Sequence, residues 1–332
     1  MCLDIRNLNE ATTNEDNWPL PNIKQVIKDI GRSGANYFAK LDLTTGFWQM
    51  ALDESSTQYT AFMSSLGLFE FLRVVMGLKS ASSHFQRTMS REVLNELIGS
   101  VCALYIDDLC IYATTEDELL KRIELVFKRL ADKNISVNPD KCHFGMLETE
   151  FLGHLISADH IGMTPEKINS VIKTAQPTTV GELHHFLGLC NYFRDHVRNH
   201  SAIVHPLIRM TIAGATDNEI KYSKNRPLKW TTEGHAAFER ITNIIAELPK
   251  LYHIKEDTST YPVFLHTDAS DYGVGAYLFQ VVDGLECPIA FLSKTLSAEQ
   301  KRWSTNEKEA FAIYYALFNL DHFLRDQIHH TH

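Results

Sequence analysis

Along residues 37–52, "YFAKLDLTTGFWQMAL", hydrophobic and polar positions at first alternate with a period of two. Phe38, Lys40 and Asp42 fall on one side and Ala39, Leu41 and Leu43 on the other, which predicts a strand that Thr44-Thr45-Gly46 then turns. The same logic predicts a hairpin around Leu66-Gly67 in "YTAFMSSLGLFEFLRVV" (59–75) and a second hairpin over 101–113. Further strands are expected over "ISVNPDKCHFG" (135–145) and "TEFLGHLIS" (149–157). Elsewhere the spacing is helical. "WPLPNI" (18–23) leads into a helix near 22–33, and 116–132 is strongly amphipathic. Phe85, Met89, Val93 and Leu97 recur behind a capping Ser in "SASSHFQRTMSREVLNEL" (80–97). This alternating order predicts an antiparallel split-βαβ sheet with helices on one face. Residues 165–212 read as helical, with Pro165 and Pro206 at the two ends, and "TDNEIKYSKNRPLKW" (216–230) reads as a polar linker. A new unit starts near Trp230, with helix 232–247, strands 261–270, 273–282 and 287–293, and helix 304–324.

Composition narrows the class without changing this picture. With 332 residues, 44% hydrophobic and 22% charged, the chain has room for two or three ordinary globular domains. No apolar run approaches the ~20 residues that cross a bilayer. The N-terminal "MCLDIRNLNE" lacks a secretory pattern, so neither a membrane partner nor secretion is expected. Six scattered cysteines (2, 102, 110, 142, 190 and 287) show no C-x-x-C spacing, which suits reduced thiols in cytosol or nucleus and argues against zinc. A net charge of −9 sits awkwardly with phosphate binding. Between His160 and Arg209, however, five Lys/Arg and six His outweigh three acids. That window is either a phosphate-facing surface or a solvated helix face.

One stretch departs from the ordinary pattern. "ALYIDDLCIYA" (103–113) puts two carboxylates inside an apolar run, making Asp107-Asp108 the expected tip of the second hairpin. Asp is a turn former, so the stretch alone leaves turn and chemistry open. Asp42 ends a strand of the same inferred sheet, and beside the tip it would bring three acids together. Clustered carboxylates raise one another's pKa unless cations neutralise them. Two Mg²⁺ ions about 3.5–4 Å apart would do so and would clamp an in-line phosphoryl displacement. One would lower the pKa of an attacking 3′-hydroxyl, and the other would hold a triphosphate and its leaving pyrophosphate.

Around these acids the chain resembles the Pol polyprotein of gypsy-type LTR retrotransposons, a reverse transcriptase followed by ribonuclease H. The resemblance runs in family order through "LDIRNLN" (3–9), "PLPNI" (19–23), "FAKLDLTTGFWQ" (38–49), "TAF" (60–62), "GLKSASSHFQRTM" (77–89), "YIDDLCIY" (105–112), "NPDKCHF" (138–144), "EFLGHLIS" (150–157), "FLGLCNYFRDHV" (186–197) and "TDASDYGVGAYLFQ" (267–280). It implies an α+β fold: a right-hand polymerase with partial fingers and a ferredoxin-like palm (1–157) and a helical thumb (158–215). A linker (216–229) and an RNase H-like α/β domain incomplete at its C-terminus (230–332) would follow. It implies RNA-directed DNA synthesis with Mg²⁺ or Mn²⁺, the metals held by Asp42 and Asp107 with Asp108 beside them. The implied partners are an RNA/DNA template-primer, deoxynucleoside triphosphates, and the protease and integrase of the same polyprotein, with a homodimer allowed. The implied setting is a cytoplasmic virus-like particle or the nucleus.

Matched by position, Phe47 would sit under the sugar, where its ring excludes a ribose 2′-hydroxyl. Leu43, Gly77 and Lys141 would line the nucleotide pocket, Tyr105 would touch the primer–template, and Leu152-Gly153 would grip the primer. In the last unit Asp268 and Glu309 match two ribonuclease H metal ligands, whereas Glu307, two residues away, points to the other side of its helix. The plain alternatives are a core Phe47, a solvated Lys141 and a surface Glu309.

The sequence also departs from the family. It opens inside the fingers, has Tyr59-Thr60-Ala61-Phe62 where relatives read Lys-Thr-Ala-Phe, and has Val74-Val75-Met76-Gly77-Leu78 where they read Met-Pro-Phe-Gly-Leu. The nucleotide pocket is therefore expected to be less basic. Past the Glu309 helix only Asp321 and Asp326 remain before His332, so no ribonuclease H activity and some exposed apolar surface are expected. Such a chain is expected to be either a polyprotein fragment or a decayed genomic copy. Besides the polymerase, two readings compete. A non-catalytic retroelement remnant would only bind nucleic acid or a partner, and an RNA-dependent RNA polymerase palm is disfavoured by Phe47.

Overall fold

The computed structural model describes residues 4–13, 18–212, 224–255 and 257–328. They fall into two compact units, Met1–Ala158 and Asp159–His332.

In the first unit, α1 (Arg6–Ala11) and α2 (Ile23–Arg32) precede β1 (Tyr37–Asp42), a short α3 (Glu54–Thr57) and the hairpin β2 (Phe62–Ser64) and β3 (Gly67–Phe69). Then come α4 (Ala81–Thr88), the hairpin β4 (Cys102–Tyr105) and β5 (Asp108–Ala113), and α5 (Glu116–Asp132). β6 (His143–Met146) and the hairpin β7 (Glu148–Phe151) and β8 (His154–Ser157) complete it. The helix starts follow from capping. Asn22 accepts from the Lys24 N–H at α2 and Thr115 from the Glu118 N–H at α5, and Glu116, Asp117 and Glu118 suit the positive end of the α5 dipole.

An antiparallel sheet in the order β4–β5–β1–β6 forms the middle of this unit. On one face Ala39, Leu41, Leu104, Leu109 and Ile111 are buried with Phe85 of α4 and with Leu119, Val126 and Leu130 of α5. The other face is covered as well, contrary to the one-sided sheet expected from element order. Phe38, Cys110 and Tyr112 are fully buried there, on the side of α2 and the β7–β8 hairpin. An aromatic row on a central strand cannot be left to water; burying such a side chain contributes roughly 1.5–3 kcal/mol.

The helix expected over 80–97 is α-helical only to Thr88. It widens into a π turn over Met89–Val93 and tightens into a 3-10 turn over Asn95–Leu97. A four-residue spacing drifts about 40° per step around a helix of 3.6 residues per turn. The wide π turn takes up that drift, and Phe85, Met89, Val93 and Leu97 all stay buried. Ser80 occupies the N-cap position, but its side chain makes no capping bond.

The second unit holds β9 (His160–Met163), α6 (Pro165–Ile172), α7 (Val180–Tyr192), α8 (His200–Ile212), α9 (Thr232–Ala246) and β10 (Leu251–Tyr252). β11 (Val263–Ala269), β12 (Gly273–Val282), β13 (Leu285–Thr295) and α10 (Thr305–Ile328) follow. Pro206 lies inside α8, not at its end, and withholds one backbone donor there. Leu183, Phe186, Leu207, Ile241 and Ile245 share one core, with the Phe186 and Phe238 rings 4.7 Å apart. So α9, grouped by sequence with the last unit, packs into the helical layer. Residues 216–223 of the expected linker lie outside the described residues. From Arg226 onward the chain is bonded to residues 178–180, and the Trp230 indole donates to the Pro177 carbonyl at 2.8 Å.

β11, β12 and β13 form an antiparallel meander in that order, and α10 packs on it through Leu320 against Leu278 and Ile289. The far side of α10 leaves Ile313, Tyr314, Leu317 and Phe318 exposed. Among the described residues no helix is long and apolar enough to cross a membrane.

His200, the first residue of α8, is buried and its Nε2 stands 3.2 Å from the Cys190 carbonyl. Burial lowers its pKa from 6.5 to about 4. The unfolded chain therefore takes up this proton first. Stability is complete above about pH 6.5 and falls by roughly 3 kcal/mol as pH drops toward 4. His200→Gln keeps a donor for Cys190 and removes the titration. Urea unfolding between pH 7 and 4.5 should give a shallower acid limb for the variant, and an identical limb would overturn this assignment.

Candidate functional site

The site grows out of one register. β1 and β5 pair Phe38 with Tyr112, Lys40 with Cys110 and Asp42 with Asp108. Because side chains alternate across a strand, these three pairs share one face. The face runs from a fully buried aromatic pair to a solvent-open acidic pair. Asp42 keeps 38% of its side chain exposed, Asp108 is half-buried and Asp107 is exposed. Burial raises the Asp108 carboxyl above its ordinary value; Lys40 opposes this, while the charges of Asp107, Asp42 and Glu150 push it higher. The Lys141 Nζ stands 3.8 Å from the Asp42 carboxylate, placed by a 3-10 turn that Asn138 caps.

The hairpin tip is Ile106-Asp107, one residue earlier than the Asp-Asp tip expected from sequence, because Tyr105 pairs with Asp108. Ile106 has φ +55° and Asp107 does not share the left-handed region. A positive φ at the first turn position alone is the type II′ pattern, which glycine normally fills. A β-branched residue held there costs on the order of 1–3 kcal/mol. The Ile106 N–H donates to Oε1 of Gln86 on α4 at 2.6 Å. Beside the tip, a Cβ on Gly46 would stand 3.3 Å from the Phe85 ring and 3.5 Å from the Asp107 Cβ. Glycine is thus what lets the loop after β1 approach the acidic turn. Gln49 ties that loop to Ser136 through bonds of 2.6 and 2.9 Å.

The other predicted residues fall into three places. Phe47 is half-buried, edge-to-face on Phe85 at 5.4 Å between ring centres, so part of its ring stays free. Leu43 is buried in the core, which leaves only its backbone for a nucleotide. Gly77, at φ +94°, accepts through its carbonyl from Asn9, whose other side-chain atom accepts from the Lys79 N–H. Tyr105 ends β4 next to the tip. Leu152 and Gly153, at φ +52° and +78°, form the two-residue turn between β7 and β8. From the sequence Gly46 was expected only to help turn the chain after β1, and Gln49 and Gln86 had no role.

In the second unit Asp268 is exposed on β11 and Glu309 is half-buried on α10. Glu307 is engaged elsewhere. Its carboxylate accepts from the Ser304 N–H and hydroxyl at 2.7 and 2.9 Å, capping α10, and these bonds hold it below the ordinary glutamate range. Buried Lys308 instead reaches Asp271 at 2.8 Å.

Residues 1–156 match the family described as "Reverse transcriptase (RNA-dependent DNA polymerase)", and residues 230–331 match the "RNase H-like domain found in reverse transcriptase". The chain is 35% identical over 324 residues to the Pol polyprotein from transposon opus of Drosophila melanogaster, covering 98% of this chain and 32% of that protein. To the Pol polyprotein from transposon gypsy of the same organism it is also 35% identical, over 325 residues, covering 98% and 30%. The chain belongs to the gypsy-type Pol family. It carries the family's reverse transcriptase and RNase H-like domains in that order and spans about a third of the length of these curated relatives. The fold agrees. The foamy viral protease–reverse transcriptase, solved with double-stranded DNA, superposes with a TM-score of 0.77 at 25% identity, covering 96% of this chain and 53% of that one. The same protein solved with an RNA/DNA hybrid gives 0.74 at 25%, covering 98% and 41%.

Reverse transcriptases as a family use divalent metal ions. Among the described residues of this Pol chain, no three His, Cys, Asp or Glu side chains close on a common point. The donor set nonetheless fits such an ion. Two carboxylates face each other across a strand pair and a third lies in the turn, and the charges of Asp107 and Asp42 add to the burial that raises Asp108. All-oxygen anionic donors suit Mg²⁺ or Mn²⁺.

The close approach at Gly46 has a direct consequence. Gly46→Val should lower stability by about 1–3 kcal/mol through overpacking against Phe85 and Asp107. Equilibrium urea unfolding measures it, and an unshifted midpoint would show that the loop has room to spare.

Proposed function

We propose that this chain is the polymerising part of its polyprotein, extending a DNA primer on an RNA or DNA template with deoxynucleoside triphosphates. The observation that carries this reading is the Asp42–Asp108 cross-strand pair with Asp107 beside it on a turn open to solvent. Asp42, Asp107 and Asp108 would hold two Mg²⁺ or Mn²⁺ ions. When bound, the ions would lower the pKa of the primer 3′-hydroxyl and stabilise charge on the triphosphate and leaving pyrophosphate.

The chain's own residues supply the rest. The two-residue turn, which the Tyr105–Asp108 pair closes, would orient the Asp107 and Asp108 carboxylates before anything binds. The free side of the Phe47 ring would lie under the nucleotide sugar and exclude a 2′-hydroxyl. Lys141, already beside Asp42, would turn toward the polyphosphate once cations neutralise the acids. Gly77 and the Leu43 backbone would complete the pocket. Tyr105 and the Leu152-Gly153 turn would touch the primer–template, where glycine permits close approach of the backbone. The nucleic acids bound by the foamy viral protein support the choice of template-primer as partner. In the second unit, Asp268 and Glu309 are the acids we assign to RNase H-type metal binding.

Purified chain should extend a DNA primer on an RNA template in Mg²⁺ or Mn²⁺, and Asp107→Asn should abolish extension. Activity that survives Asp107→Asn, or no activity from folded chain that binds primer–template, would overturn the reading. Phe47→Val should raise ribonucleotide incorporation relative to deoxynucleotide by about 10–200-fold, the range in which a pocket discriminates one small group. Single-nucleotide kcat/KM ratios measure it, and an unchanged ratio removes Phe47 from the sugar site.

A further inference from the structure

We propose that Gln86 is a positioning residue for the acidic turn, a role that rests on the polymerase reading for its purpose but not for its geometry. Gln86 is 1% exposed, yet both ends of its amide are satisfied. Its Oε1 accepts from the Ile106 N–H at 2.6 Å and its Nε2 donates to the Ser90 hydroxyl at 3.1 Å. In a two-residue hairpin loop the N–H of the first turn residue has no ladder partner and ordinarily turns to water. Here a buried side chain from another element takes that bond.

The residue so held is the one that resists its conformation. Ile106 is β-branched at φ +55°, where glycine would rest without penalty. Left alone, an isoleucine there would relax, swinging the next residue, Asp107, and loosening the Tyr105–Asp108 pair. α4 is well placed to prevent this. Phe85 and Met89 lock it into the core on the same stripe, and the π turn that starts at Met89 carries the Ser90 hydroxyl that anchors the far end of the amide. Phe85 supports Phe47 and Gly46 while its neighbour Gln86 fixes Ile106. One turn of one helix therefore sets both the sugar-side aromatic and the bearing of Asp107 and Asp108.

The test uses the full chain and Mn²⁺ alone as the probe, read by electron paramagnetic resonance. Gln86→Met, close in volume and without either bonding group, should weaken Mn²⁺ binding by about 10–100-fold, as loss of an outer-shell partner does. Where the parent polymerises, kcat should fall by about 100-fold with a smaller change in nucleotide KM, as for a misplacement of about 1 Å. The decisive arm is Gln86→Met combined with Ile106→Gly. Glycine takes the left-handed conformation without a clamp, so the double variant should recover most of the lost Mn²⁺ affinity. A packing role for Gln86 predicts no such recovery. Unchanged Mn²⁺ affinity in folded Gln86→Met, or no recovery in the double variant, overturns the proposal. A parent chain that never polymerises, with Mn²⁺ affinity lost and recovered as described, keeps the positioning role and removes only the polymerase reading.

Discussion

The pairing of β1 with β5 is the constraint on which the first unit depends. Its register lines up Phe38 with Tyr112 at one end of a face and Asp42 with Asp108 at the other. A slip of one residue would turn every side chain to the opposite face, sending both acids into the core beside Phe85 and Val126. Burying unpaired carboxylates costs far more than any alternative pairing could return. The apolar row therefore does two things at once. It drives the pairing through burial, and by doing so it leaves no position for the acids except the open end of the sheet.

That arrangement opposes local stability at each functional feature. Asp108 carries its charge in a half-buried place where it is disfavoured, Ile106 sits where glycine belongs, and Gly46 gives up a side chain so that two loops can approach. Each is an expense that the flanking structure must offset. The offset is visible in α4, the π turn after it and α5, whose buried Phe85, Met89, Val126 and Leu130 hold the sheet from behind. Function and strain meet at one turn, and the packing that supports it lies on the other side of the sheet.

The second unit solves a different problem. Its three-stranded meander has α10 on the β11–β12 side, while its helical layer is completed by α9 through Ala237, Ile241 and Ile245. Hydrogen bonds fasten that layer to the sheet: the Ser201 N–H donates to the Ser293 hydroxyl, the Arg194 guanidinium to the Ser293 carbonyl, and the Phe291 N–H to the Asp195 carbonyl. The acids of this unit are sorted by the same bonding. Glu307 is used to cap α10, whereas among the described residues Asp268 and Glu309 make no such commitment to structure.

The period-two alternation at 37–43, the amphipathic stretch 116–132 and the strands within 261–293 were legible in the sequence, because short-range hydrophobic spacing determines the type of an element and one side that must be buried. The family, too, was legible, since ten motifs in order leave little freedom. Asp42, Asp107 and Asp108 could be named as candidates, as carboxylates in an apolar run are conspicuous in any context. What only the tertiary structure decided were relations between distant residues. Burial of the second sheet face, the shift of the turn to Ile106-Asp107, the bond from Gln86 to Ile106 across twenty positions, and the transfer of α9 to the helical layer all depend on which surfaces meet. Sequence spacing fixes the face of each element; the partner of that face is set by packing and by hydrogen bonds between segments that no local pattern encodes.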